Sequence, residues 1–122
     1  MGINKVFIVG SGLMGSGISQ VCAQAGIAVF LYDIDREALN RALKNIEWSV
    51  NKFFEKGKIK EDAATVMQRI QTVSDFSKAG DADLLIEAVF ENLELKREIF
   101  RKMDEAAGPE ALIASNTSAI SI

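Results

Sequence analysis

The sequence predicts an α/β fold with a doubly wound, mainly parallel sheet, and two observations predict it. Five short runs of strand length, Lys5 to Val9, Ala28 to Tyr32, Ile70 to Val73, Leu84 to Ala88 and Ala111 to Ala114, are mostly apolar throughout instead of alternating. Strands covered by helices on both faces read that way. Between the runs lie segments of helical period, so the order is β-α-β-αα-β-β-α-β, which sets parallel strands beside right-handed crossovers.

The first strand leads directly into Gly10, Ser11, Gly12, Leu13, Met14 and Gly15. At this spacing Gly10 permits a tight turn, Gly12 lets backbone approach a pyrophosphate, and Gly15 lets helix and strand pack closely. The helix that opens there offers N–H groups and about half a unit of positive charge to an anion. Its Cys22, among Ile18, Val21 and Ala25, reads as a buried small hydrophobe. The second strand ends at Asp33, 18 residues beyond Gly15, where a carboxylate would accept hydrogen bonds from the hydroxyls of an adenine ribose. Strand, glycine turn, helix and acid together describe a Rossmann-type dinucleotide site. A 2′-phosphate against the Asp33 carboxylate would be repelled, so NAD is favoured over NADP. Arg36 reads as a solvated first-turn side chain in preference to a partner for such a phosphate.

The next helix carries Leu39, Ala42, Leu43, Ile46, Val50, Phe53 and Phe54 on one face and runs about twenty residues to near Gly57. A second helix, roughly Glu61 to Arg69, follows before the third strand, so a helical hairpin is inserted between strands two and three. Lys52, Lys56, Lys58 and Lys60 read as a solvated basic patch. Glu87 and Glu91 flank the C-terminal end of the fourth strand, the edge where doubly wound sheets bind ligands. The last helix, Asn92 to about Ala107, has Glu94 in its first turn, Lys102 near its end and Gly108-Pro109 as a stop. From spacing alone, Lys96 within it reads as a solvated surface charge.

Composition bounds the rest. With 122 residues, 48% of them apolar and 25% charged, the chain has enough material for one core, hence one domain over residues 1–122. Its net charge, 14 minus 17 or −3, offers no general field for nucleic acid or anionic lipid. The absence of a signal pattern and of an apolar run near the ~18 residues of a bilayer span predicts a cytoplasmic address and no membrane partner. One cysteine makes no internal disulfide, and zero histidines remove the commonest general base and most zinc sites, so no metal is expected.

The whole chain resembles the NAD-binding domain of the 3-hydroxyacyl-CoA dehydrogenases, including the bacterial 3-hydroxybutyryl-CoA dehydrogenases. Three blocks carry the likeness in order: Gly10 to Ile18, Asp83 to Asn92, and Ser115-Asn116-Thr117-Ser118. The helical hairpin is also what the family inserts. The resemblance implies that Glu91 and Lys96 contact the nicotinamide half of NAD, and that Ser118 lies beside the nicotinamide and the substrate hydroxyl. It further implies that Ser49 and Lys56 hold the coenzyme A moiety of an acyl-CoA substrate. In the family a general-base histidine, its glutamate partner, a substrate-binding asparagine and a dimerising helical domain follow the serine motif. The chain therefore reads as the cofactor half of a larger homo-oligomeric enzyme, lacking the C-terminal domain and inactive by itself. The implied parent reaction is oxidation of 3-hydroxyacyl-CoA to 3-ketoacyl-CoA. An NAD-dependent dehydrogenase of a small hydroxy acid and a non-catalytic NAD-binding module remain as alternatives.

Overall fold

A computed structural model describes residues 2–89 and 93–115. These residues form β1 (Lys5–Val9), α1 (Leu13–Gln24), β2 (Ala28–Tyr32), α2 (Arg36–Glu55), α3 (Ala63–Met67), β3 (Ile70–Val73), a 3-10 turn (Ala79–Asp81), β4 (Leu84–Glu87), α4 (Leu93–Ala106) and β5 (Leu112–Ser115). The strands pair in the order β3-β2-β1-β4-β5, parallel at every junction. Strand order reverses between β1 and β4, which are neighbours although α1, β2, α2, α3 and β3 intervene in the chain. A crevice opens at that point in doubly wound sheets.

The continuous apolar runs are explained by two cores. Val6 and Ile8 of β1 pack with Val29 and Leu31 of β2 under Ala23 of α1, under Leu39, Ala42, Ile46 and Val50 of α2, and under Val66 of α3. Alternate residues of the same strands, Phe7, Val9 and Tyr32, join Leu85 under Ile99 and Met103 of α4. Each fully buried aliphatic side chain contributes about 1.5–3 kcal/mol relative to exposure, so burial on both faces is what selects the central position for β1.

Several boundaries differ from the sequence reading. β4 stops at Glu87 and β5 is shifted one residue, to Leu112–Ser115. α3 is shorter than predicted because Asp62 caps it, its carboxylate accepting from Thr65 N–H at 3.0 Å. Glu61 and Arg69, expected inside that helix, flank it and form a two-pronged ion pair at 2.7 and 2.6 Å, while Arg69 also reaches the Ala23 carbonyl at 2.8 Å. Phe53 and Phe54 are exposed. A 20-residue helix is roughly 30 Å long, whereas the five-residue strands beneath it span about 17 Å, so its last turns overhang the sheet. Cys22 is half-buried against the first core, and burial pushes its thiol pKa up. No described helix is long and apolar enough to cross a membrane.

Candidate functional site

β1 ends under the glycine turn, and each glycine answers a different constraint. Gly10 has φ +112°, a region that side-chain-bearing residues rarely adopt, and its N–H donates to the Tyr32 carbonyl at 2.8 Å. A Cβ on Gly15 would lie 1.7 Å from the Gly10 carbonyl oxygen, so the start of α1 can sit this close to the turn only without a side chain. Beside Gly12, by contrast, a Cβ would meet nothing within 4 Å. Gly12 is also the N-cap of α1 and supplies no side-chain cap, leaving the positive end of the helix to face whatever occupies that space.

Asp33 closes the turn from β2. Its Oδ2 accepts from the Ser11 N–H at 3.0 Å and the Ser11 hydroxyl at 2.7 Å, and its Oδ1 accepts from the Asp35 N–H at 3.0 Å. Partial burial raises the Asp33 pKa, but hydrogen bonds from Asp35, Ser11 and Ile34 outweigh it and hold the carboxyl below its ordinary value. Asp33 is therefore ionised at neutral pH. A carboxylate oxygen accepts more than one hydrogen bond, so ligand hydroxyls can add to this arrangement without displacing Ser11. Ser16 reinforces the turn, its hydroxyl donating to the Ser11 carbonyl at 2.9 Å.

Ser11, Gly12, Leu13 and Asp33 line a cavity of about 410 Å³ whose far wall is α2, with Ala38, Arg41, Ala42 and Asn45. The dimensions and chemistry fit the adenosine diphosphate part of a dinucleotide. There is an open cradle at Gly12, an uncapped helix end for phosphate and an ionised acid for ribose. Arg41, not Arg36, is the arginine lining the cavity. Sequence reading missed Arg41 and Asn45, although positions 38, 41, 42 and 45 recur at the spacing of one helix face immediately after Asp33.

Comparison with known proteins agrees with this geometry. The NAD-binding domain family of 3-hydroxyacyl-CoA dehydrogenase matches residues 5–122. The chain belongs to that family. A probable 3-hydroxybutyryl-CoA dehydrogenase of Deinococcus radiodurans is 41% identical over 97% of this chain and 42% of its own length. The crystal structure of 3-hydroxybutyryl-CoA dehydrogenase from Escherichia coli K12 superimposes with TM-score 0.93 at 40% identity, covering 100% of this chain and 26% of that one. The (S)-3-hydroxybutyryl-CoA dehydrogenase from Ralstonia eutropha superimposes with TM-score 0.92 at 38% identity, covering 99% of this chain and 43% of that one. The chain thus spans less than half the length of the relatives it matches.

Within this 3-hydroxyacyl-CoA dehydrogenase NAD-binding domain, the reading of Lys96 as a solvated charge is overturned. Lys96 is 2% exposed and ion-paired with Glu87, which is 0% exposed. Its ammonium also donates to the Val89 carbonyl at 2.5 Å. Glu87 accepts from the Val89 N–H at 2.8 Å and from the Ser115 hydroxyl at 2.7 Å. An apolar strand end would have left this helix-borne lysine in water; the carboxylate at position 87 draws it inward. Ser49 faces α1, its hydroxyl bonded to the Gln20 side chain at 3.0 Å, and Lys56 is the exposed C-cap of α2. Neither lines the cavity. Lys52, Lys58 and Lys60 are exposed, as read from sequence. Glu91 and Ser118 lie outside the described residues. No group of three potential metal ligands exists among the described residues.

Proposed function

We propose that this chain is a single NAD-binding domain, residues 1–122, serving a cytoplasmic, homo-oligomeric 3-hydroxyacyl-CoA dehydrogenase that oxidises 3-hydroxyacyl-CoA to 3-ketoacyl-CoA. The observation that carries the reading is the ionised Asp33, held by Ser11 across the glycine turn, on the same cavity as the uncapped start of α1. NAD, when bound, supplies the hydride acceptor. The backbone from Gly10 to Gly15 cradles the pyrophosphate, and Asp33 receives the adenine-ribose hydroxyls. Glu91, Lys96 and Ser118 serve the nicotinamide side, and Ser49 and Lys56 serve the coenzyme A of the acyl-CoA. The hydroxyl proton needs an acceptor as the hydride leaves. The base of the family resembled is a histidine and these 122 residues contain none, so the chain alone does not turn over substrate.

Calorimetry on the 122-residue chain tests the cofactor reading. NADH binds more tightly than NADPH, because a 2′-phosphate beside an ionised carboxylate is repelled. Asp33→Ala weakens NADH and narrows the preference. Equal affinity of wild type for both nucleotides, or binding of neither, defeats the reading.

A further inference from the structure

Glu87 is an anomaly in its strand. Leu84, Leu85 and Ile86 precede it, and a buried carboxylate is costly unless paired. Pairing it with a buried lysine does not by itself explain its presence, because replacing such a pair by apolar residues is often neutral or stabilising. What distinguishes this carboxylate is the origin of its partners. Val89 N–H belongs to the turn after β4, Lys96 to α4, and the Ser115 hydroxyl to the last residue of β5. One side chain thus joins three separate segments at the C-terminal edge of the sheet.

Its position is equally specific. Glu87 stands opposite Val9, the last residue of β1, at the junction where strand order reverses. The next residue touches the glycine turn, since a Cβ on Gly10 would lie 2.8 Å from the Ala88 carbonyl oxygen. A dinucleotide whose adenosine half lay at Asp33, just past β2, would cross β1 at the switch point and extend its second half toward β4. Glu87 ends β4 on that path and is fully buried, so it acts there only through the groups it holds.

We propose that Glu87 is a positioning residue for the nicotinamide half of the cofactor, holding Val89 just after β4, Lys96 and the end of β5 in the arrangement that half requires. The proposal rests on the NAD reading above. Because Lys96 neutralises it and Val89 and Ser115 occupy its oxygens, Glu87 is not the general base.

The test compares NADH with ADP-ribose, which lacks the nicotinamide, by calorimetry on the wild-type chain, Glu87→Gln and Ser115→Ala, with thermal melts to monitor folding. Glu87→Gln lowers NADH affinity about tenfold, a change of about 1.4 kcal/mol, and leaves ADP-ribose within about twofold. Ser115→Ala, which removes one hydrogen bond and little packing, lowers NADH affinity about threefold with ADP-ribose again unchanged, and it decides the matter if Glu87→Gln does not fold. Parallel loss of both ligands, or no loss of either, overturns the proposal. If wild type binds ADP-ribose as tightly as NADH, the NAD reading stands and this proposal falls; if it binds neither, both fall.

Discussion

Two glycines five residues or fewer apart from Gly10 respond in opposite ways to one added methyl group. At Gly15 the methyl would strike backbone, the Gly10 carbonyl oxygen at 1.7 Å, so Gly15→Ala destabilises by more than about 3 kcal/mol or prevents folding. At Gly12 it would enter open space, so Gly12→Ala melts within a few degrees of wild type and instead weakens NADH by about tenfold or more. Thermal melts and calorimetry on the pair separate the two roles. The tight packing at Gly15 and the open approach at Gly12 were legible in the sequence, because a steric requirement for glycine leaves a fixed spacing. The helix face that carries Arg41 was legible in its spacing, but the cavity it lines and the Glu87–Lys96 pair were not. The side on which an arginine faces a cavity, and the partner that draws a lysine indoors, depend on where distant segments meet.

Among the elements, α2 shows how much of a helix local chemistry settles. Asp35 caps it, accepting from Glu37 and Ala38 N–H at 3.0 and 3.2 Å, and the helix runs its predicted length of about twenty residues. Asp35→Ala costs about 1 kcal/mol in a urea titration, seen as a lower midpoint with unchanged slope. The far end was misread because periodicity reports a continuous apolar face but not where the sheet beneath it stops. Phe53 and Phe54 keep the pattern and lose the burial. α3 was overextended for a related reason: Glu61 and Arg69 suit a helix intrinsically, and their mutual ion pair and the Ala23 carbonyl hold them outside it.

For the molecule as a whole, carboxylates tie distant parts together and set its tolerance of acid. Asp83 accepts from the Asn4 and Lys5 N–H groups at 2.8 and 3.0 Å, joining the residue before β4 to the start of β1, and these bonds lower its pKa. Asp33 is lowered too, and so are Asp62 and Asp75, through hydrogen bonds from Thr65 and Ser77. A carboxyl whose pKa is lower when folded stabilises the fold above its unfolded value, near 3.8 for aspartate, and loses that contribution as pH falls through the folded value. Melting temperature therefore holds from neutral pH to about 5 and declines below about 4, and Asp83→Asn reduces the decline. Circular dichroism melts from pH 7 to pH 2 measure it. Fold class and parallel strands followed from alternation and general rules of connection; the order of the strands in the sheet and the acid clasps did not, since the clasps depend on residues 78 and 79 positions apart.

The unequal covering of the strands also sets the order in which the sheet comes apart. β1 is sealed on both faces and flanked by β2 and β4, whereas in β5 Leu112, Ala114 and Ser115 are exposed and, among the described strands, only β4 pairs with it. Deuterium consequently enters β5 through local opening long before it reaches β1, whose amides exchange only in global unfolding. Since the Ser115 hydroxyl bonds Glu87 across the sheet, each opening of β5 also breaks that bond and releases one of the partners that hold the buried carboxylate in place.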